Sequence, residues 1–549
     1  MLLLDYCHLF LEWQSVGFSY KAGDLREGNH AVRWVSGSFK RREEIIMKLI
    51  RSISVVTLAM AMALPAMADR VLNADVVIVG AGAGGTVAAA SAQEAGLKTV
   101  LLEKNAFAGG AGNFMEGSFA VESFMQKKAG VKLTKLEEFN RMGEYHHWRI
   151  NAPLVKRFID ESPETIQWVW DHGVHWKEVK SVWAGNKDMT WHIYPHAGSL
   201  PEAMVNAFEK KGGQLLLQTP GKKLIVKNGK IAGVEAEDLK TKEKVTVNAK
   251  YVILATGGYN FNEKMVKEST GQALVPSGAP GRTGDGIQMA MSVGAVGDNM
   301  GPMMINGAFN PLEGEAICNG PNKELRAIFR QSQLYLDGAG NRFFNEQLTL
   351  DWPVASNAIL RAGEWTYLLF DDAFVKELGT KGQGYLNPCG NFIQRHQVAK
   401  ELPKMLENGV KRGDVYEGQT LEEVAKKAGL NPENVKKAAA EMTAAAKAGV
   451  DTQFGKDKYY IRGVSKAPFY ILKGKLHTLT SLNGVKVTEN LQVVDKDERV
   501  IPGLYALGHD AGGVYGDSYD LRVGEGTASS FAINSARIAV KNILSLEKK

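Results

Sequence analysis

Cysteine is nearly absent: Cys7, Cys318 and Cys389 are the three in a chain of 549 residues. That scarcity excludes a disulfide scaffold, a cysteine-rich zinc site and an iron–sulfur cluster, and no CxxCH haem-attachment motif occurs. Cys318 and Cys389 suit either one disulfide in an oxidising compartment or two reduced core thiols. An excess of one charge is also missing, since 66 Lys and Arg face 60 Asp and Glu. The net +6 is too mild to imply a nucleic acid or a membrane surface as partner. Long apolar runs are lacking as well. The one from Ile53 to Leu64 has about a dozen residues, against roughly 20 for a spanning helix, so no integral membrane segment is expected.

That short run has another reading. From Met47 the sequence gives a basic start (Lys48, Arg51), the apolar run and an Ala66-Met67-Ala68 cleavage pattern, which together read as an export signal at 47–68. A buried N-terminal helix is the alternative. No paired arginine precedes the run and no Cys follows the cleavage site, so the general secretory route to a periplasmic or extracytoplasmic product is expected. Residues 1–46 then read as a spurious extension ahead of the true start at Met47. The remaining 481 residues, from Asp69, suffice for two or three domains with real cores.

The expected fold class is α/β. From Asp75 the chain reads strand, glycine turn, small-residue helix and strand, a βαβ unit that implies a parallel sheet. "GQLLLQTP", a hairpin turning at Asn228-Gly229 and "YVILATGG" suit the same sheet. "LQVVDKDERVIPGLYALG" and the closing helix "TASSFAINSARIAVKNIL" return to it. Between them the texture is mixed, with helix starts marked by Thr420 and Glu423 and by Asn431-Pro432. The organisation predicted is a Rossmann-like domain made of 69–300 and 477–549, with an α+β domain inserted at 301–476 and a ligand site between them.

Gly80, Gly82 and Gly85 spell GxGxxG between a strand and a helix, and Glu103 ends the next strand 23 residues after Gly80. The glycines allow a tight turn and close approach of a pyrophosphate to the helix N-terminus, and the carboxylate can accept from a ribose hydroxyl. A dinucleotide site follows, without separating FAD from NAD. Further along come "KNAFAGGAGNFMEGSFA", "ILATGGY", "GRTGDGIQMAMSVGA" and "IPGLYALGHDAGGVYG". With these, in this order, the chain resembles the fumarate reductase and succinate dehydrogenase flavoproteins. It is most similar to the exported soluble reductases of fumarate, urocanate and related enoates, with 3-ketosteroid dehydrogenases as cousins.

The resemblance implies non-covalent FAD and a capping domain at the insertion, with substrate between cap and flavin. It carries cofactor roles onto Gly80, Gly82, Gly85, Glu103, Lys104, Gly109, Gly110, Gly117, Ala255, Thr256, Gly257, Gly284, Asp285, His509, Gly513 and Gly526. His509 is a departure, standing where the family has a Glu on the flavin's sugar chain.

Enoate reduction needs a hydride from flavin N5 to one alkene carbon, a proton to the other, and a cation on the carboxylate. "LRVGEGTAS" matches the family's arginine stretch beside the flavin, which places Arg522 on substrate; a structural arginine is the alternative. The proton-donating arginine of fumarate reductases is replaced by Leu350, ahead of Asp351. "HPT" gives way to "MMINGAF", "HHTMGG" to "HTLTSLNG" with His477 displaced, and "TEAVRG" is lost, although Arg326 and Arg330 lie nearby. Fumarate is therefore not the expected substrate. Leu350, Trp352, Met303, Met304 and Phe309 suit a larger, more apolar one, or are ordinary cap core.

A proton donor is then expected in the longer loop "VYGDSYDLR". Tyr519, its phenol made more acidic by a neighbouring cation, is the first candidate, followed by His477, Tyr515 and Arg330. The expected activity is reduction of an unsaturated carboxylate or enone outside the cytoplasm, as in anaerobic respiration. Electrons would come from a separate cytochrome or FMN-carrying protein. A dehydrogenase working in reverse and a non-catalytic flavin electron carrier remain the alternatives.

Overall fold

The computed structural model describes residues 69–183, 185–309, 325, 328–329, 331–382 and 398–548. The export signal, the segment before it, Cys318, Cys389, Arg326 and Arg330 lie outside the described residues. The strand expected from Asp75 starts five residues earlier, as β1 (Arg70–Val79), because Arg70–Ala74 also find partners along Val245–Ala249. Only Val76–Val79 are fully sheathed. The chain then crosses through helix Ala83–Glu94 and returns as β2 (Thr99–Leu102), parallel to β1 from Val76↔Thr99 to Val79↔Leu102.

A region with no sequence assignment follows. Strand β3 (Gly117–Phe119) pairs with β5 (Trp191–Ile193), and β5 with β4 (Val179–Lys180), in a small antiparallel sheet. Between β3 and β4 run helices Lys135–Tyr145 and Ala152–Asp171, started by Thr134 and Asn151, whose side chains accept from Glu137 N and Leu154 N.

The main sheet resumes with β6 (Gln214–Leu216), the hairpin β7 (Gly221–Lys227) and β8 (Lys230–Glu237), and β9 (Lys244–Leu254). The hairpin turns at Asn228 and Gly229, both at positive φ, as the dipeptide predicts. Strands β10 (Val275–Pro276), β11 (Met303–Phe309), β12 (Leu334–Leu336), β13 (Trp365–Asp371), β14 (Val415–Gly418) and β15 (Phe469–Ser481) make a second sheet. The 13-residue β15 carries the pairing, because β10, β11, β13 and β14 all bond to it. It runs through position 477, and β10 joins it from ahead of residue 300. Helices Leu421–Ala428 and Pro432–Ala448 start at Thr420 and Asn431, whose side chains cap them.

Strands β16 (Gln492–Val494) and β17 (Val500–Ala506) complete the main sheet in the order β16-β17-β9-β1-β2-β6. Helix Thr527–Glu547 packs against helix Ala83–Glu94 and closes the chain. Among the described residues no helix is long and apolar enough to cross a membrane, and no cluster of His, Cys, Asp or Glu is placed to hold a metal ion.

Beside the second sheet, a buried charge cluster ties the segment 342–346 to the segment 451–456. Arg342 grips Glu346 (Nε to Oε1 2.8 Å, Nη2 to Oε2 2.8 Å) and Asp451 (Nη1 to Oδ1 2.9 Å, Nη2 to Oδ2 2.7 Å), and Lys456 Nζ lies 3.3 Å from Glu346. All four side chains are buried, so removing any of them leaves an uncompensated charge. The cluster holds the turn Glu346–Leu350 and helix Trp352–Ala362 in position.

Candidate active site

At the end of β1 the backbone turns too tightly for any side chain. A Cβ on Gly80, whose φ is +102°, would lie 2.4 Å from the carbonyl oxygen of Ala255, and one on Gly85 would lie 1.8 Å from that of Gly80. Glycine at both positions lets helix Ala83–Glu94 begin directly above the strand ends, its N-cap Gly82 offering no side-chain cap to the first-turn N–H groups. Gly109 N donates to Ala81 O at 2.7 Å, and Gly82 and Gly109 form a bridge, which brings Gly109 and Gly110 against the turn. A helix N-terminus whose N-cap is a glycine with no capping side chain suits a phosphate group.

The polar residues expected there surround it. Glu103 accepts from Ala81 N at 2.8 Å and from Asn105 N at 2.8 Å, which fixes its carboxylate at the strand end. Lys104 Nζ binds Asp285 Oδ2 at 2.6 Å and Thr283 Oγ1 at 2.9 Å, linking β2 to the Thr283–Gly286 loop. His509 is pushed down to about pKa 4 by burial first and by the charge of Arg282 second, so its imidazole is neutral at pH 7. Its Nδ1 is buried with no partner among the described residues, an acceptor or donor awaiting one.

Asp510 was not foreseen from the sequence. Its carboxylate, fully buried, accepts from Thr256 N at 2.5 Å, from Thr256 Oγ1 at 2.8 Å and from Gly258 N at 3.0 Å. Thr256 Oγ1 in turn accepts from Gly286 N at 2.9 Å. A single side chain thus ties the Ala255–Gly258 loop to the Thr283–Gly286 loop and to the end of β17. The available signal was an acid inside the otherwise apolar and glycine-rich run "YALGHDAGG". The remaining cofactor candidates, Gly117, Gly513 and Gly526, stand where Cβ atoms would strike His192 O (2.5 Å), Asn151 Cβ (2.8 Å) and the Trp191 ring (2.7 Å).

The substrate candidates divide. Arg522 and Asp351 line one cavity of about 360 Å³, together with Arg141, Glu144, Tyr145, Leu348, Val354 and Val523. Its walls come from helix Lys135–Tyr145, the turn Glu346–Leu350 and helix Trp352–Ala362, and the loop before the closing helix. Burial raises Asp351 to about pKa 6 against the opposing pull of Arg522. Arg141 is engaged by Asp188 at 3.1 Å, whereas Arg522 is exposed and has no ion pair among the described residues.

Tyr519 is buried beside this cavity, its ring stacked on Trp352 at 6.3 Å, which joins helix Trp352–Ala362 to the C-terminal loop. Its hydroxyl accepts from Gly526 N at 3.2 Å, and its carbonyl accepts from Tyr145 OH at 3.1 Å. Tyr515 OH donates to Thr527 Oγ1 at 3.2 Å, and Thr527 donates to Asp520. The expected acidification of Tyr519 is overturned: burial first and Asp520 second push its phenol well above the ordinary range. Sequence shows Arg522 three residues away but not that Asp520 is turned toward the ring. His477 lies on another element, paired with Val275 in the second sheet. Met303 and Met304 belong to β11, and the cavity wall is made by Leu348 and Val354 instead of Leu350. The helix 135–145 residues were not foreseen, since nothing in their spacing marks them.

Comparison with known proteins agrees with this geometry. The FAD_binding_2 family, described as an FAD binding domain, matches residues 75–522. Vinyl phenol reductase of Lactiplantibacillus plantarum is 31% identical over 473 residues, covering 84% of this chain and 94% of that protein. Among solved structures, an open flavocytochrome c3 fumarate reductase aligns with TM-score 0.62 at 22% identity over 90% of this chain and 80% of that one. The 3-ketosteroid delta1-dehydrogenase of Sterolibacterium denitrificans aligns with TM-score 0.68 at 17% identity over 86% and 100%. The chain belongs to the FAD-binding domain family, within the fumarate reductase-like flavoproteins. It is an FAD-dependent oxidoreductase of the class acting on CH–CH bonds.

The site fits that cofactor. The uncapped helix start, the glycine cradle and the orphan His509 Nδ1 would provide donors and room, and Glu103 at the end of β2 is the acceptor expected for a ribose hydroxyl. Asp510→Ala is expected to weaken FAD binding about 10- to 100-fold, since unpaired buried donors cost about 1–3 kcal/mol in all. Asp510→Asn, keeping one carbonyl acceptor, should fall between. Titration of the apoprotein with FAD measures both.

Proposed function

We propose that this chain is an exported FAD-dependent reductase of carbon–carbon double bonds conjugated to an oxygen-bearing group, with a substrate of aromatic size in place of fumarate. The observation that carries the reading is the cavity that Arg522 and Asp351 line with Arg141, Glu144 and Tyr145 and with the apolar side chains Leu348, Val354 and Val523. One unpaired guanidinium suits one carboxylate or phenolate oxygen. A dicarboxylate would meet Glu144 and Asp351 at its other end. Leu348, Val354 and Val523 suit an aryl or alkyl body. The similarity to a vinyl phenol reductase supports the same size and polarity.

FAD, held without a covalent link by the Gly80–Gly85 turn and the Thr283–Gly286 loop, would supply the hydride for one alkene carbon. The side chains supply the rest. Arg522 grips the conjugated oxygen and stabilises the negative charge that builds on it. Tyr519 gives its phenolic proton to the other carbon; burial and Asp520 work against that transfer, and the N–H of Gly526, which donates to the phenolic oxygen, offsets part of the cost. Trp352, stacked on Tyr519, shields the site from water when the inserted domain is seated. The electrons that re-reduce the flavin would come from a separate donor, a small cytochrome or FMN-carrying protein.

Three tests follow from these roles. With a hydroxycinnamate or a vinyl phenol as acceptor, Arg522→Ala should raise KM and lower kcat, and Tyr519→Phe should lower kcat about 100-fold with FAD retained. Unchanged kinetics in either variant removes that residue from the chemistry. Asp351 adds a pH signature: neutral below about 6, it ionises above and competes for Arg522. KM for a carboxylate substrate should therefore rise as pH passes upward through 6, and Asp351→Asn should flatten the rise. Export predicts that protein recovered from the periplasm begins at Asp69; an N-terminus still carrying residues 47–68 would contradict it.

A further inference from the structure

Arg282 precedes the Thr283–Gly286 loop and has no ion pair among the described residues. The side chain is buried, 8% exposed, and its bonds run to neutral carbonyls, Nε to Ala279 O at 2.9 Å and Nη2 to Ser277 O at 3.0 Å. No carboxylate pairs with it among the described residues. Two acids of the cofactor loops are already committed, Asp285 to Lys104 and Asp510 to Thr256 and Gly258. The stem runs along the cofactor loop itself: a Cβ on Gly257 would lie 3.4 Å from Arg282 Cγ. Phe261 is the other neighbour, its ring centroid 5.7 Å from the guanidinium.

A buried cation without an anion is costly, because desolvation has no Coulombic return. Burial accordingly pulls Arg282 down to about pKa 10, and its positive charge helps to keep His509 neutral. Such an arrangement is stable when a ligand brings the missing charge.

We propose that Arg282 is an anion-receiving residue of the cofactor site, its guanidinium neutralised by the bound FAD. FAD offers two anionic groups: the diphosphate, charged at all times, and the ring system once it has taken up two electrons. The inference concerns cofactor binding and is independent of which alkene is reduced.

Two titrations on the purified protein separate the sources, neither involving turnover. The first measures FAD affinity of the apoprotein. The second measures sulfite affinity of the oxidised holoprotein; sulfite's lone pair forms a bond to the flavin ring and leaves negative charge on it, so affinity reports positive potential there. Arg282→Gln should weaken FAD binding about 10-fold or more if the diphosphate is the partner, or sulfite binding by a similar factor if the ring is. Arg282→Lys, which keeps the charge, should remain within about threefold of the native protein in the affected quantity. Folded Arg282→Gln with both affinities within about twofold of native overturns the proposal. If Arg282→Gln is not recovered folded, Arg282→Lys decides: near-native affinities support the charge role, and loss of both in a folded protein assigns Arg282 to its bonds with Ser277 and Ala279 instead.

Discussion

The cofactor half depends on backbone segments approaching more closely than side chains permit. β1, β2, β9 and β17 end at one edge of the main sheet, and the loops leaving them must crowd together there. Gly80 against Ala255 and Gly85 against Gly80 make that crowding possible, and the carboxylate of Asp510 makes it rigid. Everything else expected of a dinucleotide site, including the helix start, Glu103 and the Lys104–Asp285 pair, takes its place from this arrangement.

The substrate half rests on a different principle. Its walls belong to three separate segments, and what fixes them is buried polar pairing. The Arg342–Glu346–Asp451–Lys456 cluster holds the inserted wall, and Glu525 binds Thr190 Oγ1 at 2.7 Å to hold the loop bearing Tyr519 and Arg522. The Trp352–Tyr519 stack is where the two meet.

This contrast explains what could be read from sequence. The βαβ unit, the Asn228-Gly229 hairpin, both helix caps and the return of β16 and β17 were legible because local spacing determines them. The glycines were legible because they answer a backbone constraint. Asp510 was missed because a buried acid in a glycine run has no periodic signature. Tyr519's proximity to Arg522 was legible, but its pKa depends on burial and on the orientation of Asp520, which one-dimensional spacing does not contain. Arg141 and Tyr145 entered the cavity from a helix with no motif, and Leu348 replaced Leu350 because a tight turn, not a strand or regular helix, presents that segment.

The central claim is that the cavity admits an aryl-sized alkene through a single guanidinium. Chemical reduction of the bound flavin without oxygen, followed by its reoxidation with vinyl phenols, cinnamates, urocanate, an enone steroid and fumarate, tests it most directly. The account predicts fastest reoxidation by an aryl alkene, with the saturated compound as product and fumarate far slower. Fastest reoxidation by fumarate would contradict the reading of the cavity, and no reoxidation by any alkene would contradict the reductase itself.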